Sequence, residues 1–280
     1  MVDVEGHSEV IYRHPLPVRL WHWVTVAAVA GLLLTGFCIL NVHPRLYWGE
    51  VGNATTRPVI ALESAQAGGS RAGARPPPAV LRLGSHAWNV TGYLGAVLDL
   101  GPDGTYFLIT MTPDSWQFGA MRAWHFACAW ILVLTWSGYG AYVLISGRLR
   151  RTLLPSAAQV RRRALLQDIW DHLRLKKYRG EEARRYNMLQ KVTYLAVLFV
   201  LIPLAIVSGL TLSNAVTARF PELYSLLGGR QSARTLHALC AAALSLFVVV
   251  HVAQLFVAGF INHLRSMLTG KFVVRSEALK

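Results

Sequence analysis

The sequence predicts an all-α integral membrane protein, a bundle of four transmembrane helices with a long insertion between the first two. Three observations predict it. The 280 residues are 54% hydrophobic and 15% charged, where a soluble domain carries roughly a quarter charged residues, and mean hydropathy is +0.38. Four apolar stretches reach the ~20 residues that cross ~30 Å of hydrocarbon as helix. The net charge of +14 is gathered in one loop between spans, which marks membrane orientation and excludes a nucleic-acid face.

Residues 1–18 are expected as a tail and 19–40 as the first span. It begins too far into the chain, is too long and lacks a small-x-small cleavage site, so it reads as retained rather than as a signal peptide. Residues 41–119 form the insertion, with five Arg balanced by five acids. Its stretch from Ala67 to Pro78, rich in Gly, Ala, Arg and Pro, reads as an extended linker. Trp88, Tyr93, Leu94, Val97 and Leu98 then suggest a short amphipathic element. An insertion this long is either a docking surface or a mobile loop. Asn53-Ala-Thr55 and Asn89-Val-Thr91 fit a glycosylation sequon, a pattern of low specificity.

The second span covers 120–146. The segment from Gly147 to Lys191 carries thirteen of the 28 basic residues against four acids, which places the loop 147–189 in the cytoplasm. A surface-lying helix is expected there around Ile169, Trp170 and Leu173. The third span covers 190–212, a short extracytoplasmic connection 213–233, the fourth span 234–259 and a tail 260–280. Both termini are then cytoplasmic and the protein is expected in the bacterial inner (plasma) membrane.

Cys38, Cys128 and Cys240 are 90 and 112 residues apart. That spacing excludes a CxxC pair, a CxxCH haem attachment and a four-cysteine cluster, and leaves three small buried hydrophobes. The histidines carry the chemistry instead. An ionisable side chain inside a span is costly and is a functional candidate by default. His22, His125, His237 and His251 qualify, on spans one, two, four and four. His237 and His251 are 14 residues apart, which at 100° per residue is about 40° short of four turns, with a rise of ~21 Å. They point the same way at two depths, too far apart for one metal ion. Depth pairs His125 with His237 and His22 with His251. Two stacked bis-imidazole sites in a helical bundle are a usual way to hold haem without covalent attachment.

Arg19, Arg122 and Arg234 each stand three residues before a span histidine, one turn back toward water. A guanidinium there would meet a haem propionate, or would simply snorkel at the interface. Gly36 lies 14 residues beyond His22, and Gly138 and Gly140 bracket the position 14 beyond His125. Small residues at those depths leave room for a flat macrocycle.

At these residues the sequence resembles the bacterial di-haem cytochrome b family of the b-561 type, which includes the b subunits of nickel-iron hydrogenase, formate dehydrogenase and thiosulfate reductase. The resemblance covers all four spans and rests on Arg19-Leu20-Trp21-His22-Trp23 with Thr35-Gly36, on Arg122-x-x-His125, and on Arg234-x-x-His237 with His251. It implies that the four histidines ligate two b haems. It also implies electron transfer between quinone and an extracytoplasmic partner, a hydrogenase-like or molybdopterin oxidoreductase. The long insertion is more like the thiosulfate-reductase type. The family's quinone site, near the cytoplasmic haem, falls at Asn187, Gln190, Lys191 and Tyr194. Asn187, Gln190 and Tyr194 share a helical face that would hydrogen-bond a quinone carbonyl, with Lys191 beside them as a proton donor. An ordinary polar helix entrance reads equally well. His14 is a candidate relay near that site or an interfacial histidine.

His7, His43, His86, His172 and His263 are expected in tails or loops and exposed. Pro203 and Gly209 are assigned to helix packing. Two other classes stay open: a self-sufficient b-type oxidoreductase such as a superoxide:quinone oxidoreductase, and a non-redox anchor or transporter. The last would leave four span histidines unexplained, and the inverted repeats typical of transporters are not evident.

Overall fold

The computed structural model describes residues 8–53, 55–64, 79–91, 96–99, 106–109, 118–155, 166–167, 170, 174 and 188–275. The stretch from Ala67 to Pro78 and residues Tyr93, Leu94, Ile169, Leu173 and Asn187 lie outside them, as do His7 and His172.

Four helices are long and apolar enough to cross a bilayer: α1 (Leu16–Val42), α2 (Phe118–Ile145), α3 (Met188–Thr211) and α4 (Arg230–Ala258). Each begins two to four residues before the span read from the sequence; α1 ends two residues beyond it and the other three end one residue short of it. Leu34, Leu134, Val200 and Leu246 are each more than 60% exposed. Apolar side chains in such number, with no protein against them, are buried by lipid. The chain is an integral membrane protein.

The third helix is interrupted by a π segment, Val197–Leu201, directly before Pro203. A proline inside a helix has no amide to donate and its ring collides with the carbonyl four residues back. Widening to π geometry relieves both problems. The Trp136 indole donates to the carbonyl of Leu198 in this segment at 2.8 Å.

The chain divides into two compact units, and each of the four long helices contributes to both. The first contains Met1–Ala28, Ile131–Pro203 and Ala243–Lys280. Its core is Val18, Tyr139, Val143, Leu153 and Leu198, with Trp21 stacked on Tyr139 at 4.0 Å between centroids. Beyond Gly259 (φ 107°) the chain turns into the short helix α5 (Phe260–Thr269), which ends at Gly270 (φ 83°). Strand β1 (Ser8–Tyr12) then pairs antiparallel with the last strand, Lys271–Arg275. A Cβ on Gly270 would stand 2.4 Å from Tyr12 Cε2, so this turn requires glycine for space as well as for conformation. The last carbonyls of α5 have no helical partner of their own. Arg19 donates to that of Leu268 and the Trp23 indole to that of Met267 at 3.1 Å. Segments read from the sequence as tails are thus folded onto the start of α1.

The second unit contains Val29–Trp130 and Leu204–Ala242. Among the described residues the insertion carries strands, and Trp88, Val97 and Leu98, read from the sequence as parts of one short amphipathic element, fall on two of them. Strands β2 (Arg45–Leu46), β3 (Ile60–Ser64), β4 (Ala79–Leu83) and β5 (His86–Asn89) form an antiparallel sheet in that order, and β6 (Ala96–Asp99) pairs with β7 (Tyr106–Ile109). The final strand, Lys271–Arg275, is therefore β8. Trp88 lies on β5 at the sheet edge and is exposed. The segment after α1 is tied to the start of α4. The amides of Gln231 and Ser232 donate to the Gly49 carbonyl, the Gly49 amide to Ser232 Oγ, and the Thr235 hydroxyl to the Tyr47 carbonyl. These contacts satisfy the first amides of α4, which helix geometry leaves open.

Candidate functional site

Two helix positions with the same pattern, a hydroxyl residue followed by glycine, build a seat in the second unit. On α1, Thr35 is buried and its hydroxyl donates to the Gly31 carbonyl at 2.6 Å. On α3, Ser208 is fully buried and donates to the Leu204 carbonyl at 2.7 Å. Each is followed by glycine. His125 on α2 places Nδ1 2.9 Å from Thr35 Oγ1, and His237 on α4 places Nδ1 3.1 Å from Ser208 Oγ. A carbonyl one turn earlier serves each ring as well, Leu32 for His125 and Ala205 for His237, the latter at 3.0 Å.

The glycines provide the clearance. A Cβ on Gly36 would lie 3.4 Å from His125 Cε1, and one on Gly209 only 3.1 Å from His237 Cε1. Gly36 therefore makes room for an imidazole on the neighbouring helix. Added Cβ atoms on Gly138 and Gly140 meet nothing within 4 Å, so no packing among the described residues calls for glycine at either position.

The imidazole centroids of His125 and His237 are 6.1 Å apart, with the ring planes at 71°. With metal–nitrogen bonds of about 2.0 Å and a ring nitrogen about 1.1 Å from its centroid, two trans imidazoles on one metal ion place their centroids about 6.2 Å apart. With Nδ1 engaged on each ring, Nε2 is the nitrogen left to each imidazole for a metal. The ring spacing fits an iron ion that both imidazoles would hold. Among the described residues no cluster of three or more metal-ligating side chains occurs.

The other two span histidines belong to the first unit. His22 on α1 and His251 on α4 are close enough for the charge of one to be felt by the other. His22 meets Trp23 edge-on at 5.2 Å and His251 stacks on Phe247 at 5.6 Å. Around His22 lies a group of buried polar atoms that have no hydrogen-bond partner: His14 Nδ1, Arg19 Nε, Trp21 Nε1, His22 Nδ1 and Thr25 Oγ1. Buried polar atoms are almost always paired, so these are positions where a bound group or water would find a partner. The Arg19 and Trp21 nitrogens are donors, suited to an anionic or carbonyl oxygen.

The three arginines of the repeated pattern differ in their engagements. Arg19 donates from Nη1 to the Leu268 carbonyl, while its Nε is buried without a partner. Arg234 donates to the carbonyls of His43 and Arg45, holding the segment that leaves α1. Arg122 is exposed on α2. Of the α3 residues, Gln190 and Tyr194 lie one turn apart and half-buried, and Lys191 Nζ reaches the Leu154 carbonyl at 3.3 Å.

His14 is buried, and desolvation, reinforced by the nearby Arg13 and Arg148 charges, lowers its pKa to about 4. His263, read from the sequence as an exposed tail residue, instead sits half-buried on α5. Its ring meets Phe272 edge-on at 5.2 Å, and burial with the Arg13 charge lowers its pKa to about 4. His43 and His86 are exposed as expected. Sequence reasoning assigned no chemistry to Ser208 or Gly209. The signal was the repeated hydroxyl–glycine pair, Thr35-Gly36 and Ser208-Gly209, on two different spans.

Two comparisons bear on this geometry. The family model described as prokaryotic cytochrome b561 matches residues 13–270. A protein of Azospira oryzae, named as the protein-methionine-sulfoxide reductase subunit YedZ1, is 35% identical over 159 residues, covering 56% of this chain and 76% of that protein.

Proposed function

The chain belongs to the prokaryotic cytochrome b561 family, and on that premise we propose that it carries two b haems, one on His125 and His237 and one on His22 and His251. Through them it moves electrons between quinone and an oxidoreductase outside the cytoplasm. Membership makes it a haem b electron-transfer subunit of the membrane. The observation that carries the two-site reading is the His125–His237 pair, 6.1 Å between ring centroids, seated by the same device on two helices.

Bound haem supplies a one-electron carrier in each unit. The chain's own residues do the rest. Thr35 and Ser208 orient one pair of imidazoles, and the lipid-facing leucines and valines of the four helices keep water from the sites. Arg19 Nε and Trp21 Nε1, buried and unpartnered, receive a carboxylate or carbonyl oxygen beside His22. Gln190, Lys191 and Tyr194, with Asn187 before them, bind quinone at the cytoplasmic end of α3. His14, neutral because its pKa is near 4, relays protons there through its unpartnered Nδ1.

The partner docks on the folded insertion, whose sheet leaves Trp88 exposed. The relative's name, a subunit of a protein-methionine-sulfoxide reductase, supports a sulfoxide reductase as that partner, and the family resemblance of the sequence supports the molybdopterin class. Reducing a sulfoxide to a sulfide and water consumes two electrons and two protons; a quinol would pass its two electrons through this chain one at a time and release its two protons at its own site, while the reductase would take two protons from the water on its side of the membrane.

The test is a dithionite-reduced minus oxidised spectrum with a pyridine haemochrome count, on the wild type and on His237→Ala, followed by addition of a quinol analogue. About two b haems per chain, one lost in the variant and both reduced by quinol, are expected. Absence of haem would end the reading.

A further inference from the structure

Thr35 and Ser208 do more than fill space. A serine or threonine hydroxyl has one proton to give and lone pairs to receive. Both of these protons are already directed into the residue's own helix, Thr35 to Gly31 at 2.6 Å and Ser208 to Leu204 at 2.7 Å. What each oxygen offers to the histidine beside it is a lone pair. The hydrogen in the contacts at 2.9 Å and 3.1 Å therefore sits on Nδ1 of His125 and of His237. The carbonyls of Leu32 and Ala205, which can only accept, agree with that assignment.

We infer that Thr35 and Ser208 are positioning residues that fix both imidazoles as Nδ1–H tautomers and, by accepting those hydrogens, hold the centre they ligate at a lower reduction potential. The inference rests on the reading that this pair ligates haem iron. A ligating imidazole that donates its distal N–H to an acceptor becomes more basic. A more basic axial ligand stabilises ferric over ferrous iron, which lowers the potential. Both hydroxyls are nine-tenths or more buried, so water does not replace them when they are removed. The His22 centre offers a contrast within the same chain, since His22 Nδ1 is buried without a partner.

The experiment is a potentiometric titration of the purified, haem-loaded chain, with a haem count on the same samples. The variants are Thr35→Val, Ser208→Ala, their double, Thr35→Ser and His237→Ala. One of the two potentials, identified as the component lost in His237→Ala, is expected to move positive in each single variant and further in the double. Thr35→Ser, which keeps the acceptor, should titrate as wild type. Unchanged potentials in a double variant that retains two haems would overturn the inference and leave the two-haem reading standing. Retention of both haems in His237→Ala would instead overturn that reading. Should Thr35→Val fail to take up haem, Ser208→Ala, which removes a single oxygen, decides the matter alone.

Discussion

A Cβ placed on Gly209 would stand 3.1 Å from Cε1 of His237, closer than side chains normally approach. The ring cannot withdraw easily, because its Nδ1 is pinned by Ser208 and by the Ala205 carbonyl. Gly209→Ala should therefore tilt the imidazole and lower haem occupancy at this centre, with an overpacking cost of about 1–3 kcal/mol. Gly36→Ala, whose Cβ would lie at 3.4 Å from His125 Cε1, should be milder. Haem per chain, measured for both variants in parallel, checks the order; an equal loss would show that the clearance is not what decides it.

Gly229 adopts φ 105°, and a Cβ there would lie 2.6 Å from the carbonyl carbon and oxygen of Gly49. That carbonyl is the acceptor for the first amides of α4, so displacing it unties the segment after α1 from the helix bearing His237. Gly229→Ala combines left-handed strain with a backbone collision and should cost about 2–4 kcal/mol. Thermal unfolding in detergent, followed by the far-UV signal, reads it. An alanine variant as stable as wild type would mean that the loop accommodates the methyl by moving.

The four spans and the depth pairing of the histidines were legible because both follow from periodicity and length. A helix turns 100° per residue whatever surrounds it, and His237 and His251 are on one helix. The sheet in the insertion was not legible. Its strands are two to five residues long, and every residue of β5 is exposed, so no run of alternating burial announces it. The Ser208 seat was missed for another reason: a serine and a glycine on an apolar helix look like packing until the neighbouring helix brings His237 against them. His263 misled because the sequence beyond the fourth span shows no second apolar run. Only the turn at Gly259 and the β1–β8 ladder fold it inward.

Trp136 and Pro203 make a pair of tests for the third helix. Trp136→Phe removes the indole donor to the Leu198 carbonyl, the one from outside α3 among the described residues, at about 1–2 kcal/mol. Pro203→Ala restores an amide and relieves the ring collision, so the π segment loses its cause. The expected result is a lower unfolding temperature for Trp136→Phe that Pro203→Ala partly rescues in the double variant. Additive effects would show that the indole and the proline act independently.

Acidification should loosen the terminal ladder before the rest of the chain. His14 and His263 ionise near pH 4 when folded, against about 6.5 when free. Between those values the unfolded chain binds protons that the folded chain refuses, so stability falls as pH drops from 6.5 toward 4 and is flat above it. For the buried His14 the fall from 6.5 to about 4 corresponds to at most about 3–4 kcal/mol, and for the half-buried His263 to less. The charges that enforce neutrality are Arg13 and Arg148 around His14 and Arg13 again beside His263, with His22 and His251 as weaker neighbours. Arg13 stacks over Phe272, the β8 residue that His263 also touches, so protonating either histidine sets like charges against the strand pairing. Hydrogen exchange of the β1 and β8 amides at pH 7 and pH 5 should show protection lost there first. His14→Gln with His263→Gln should flatten that pH dependence, and an unaltered profile in the double variant would assign it to other groups.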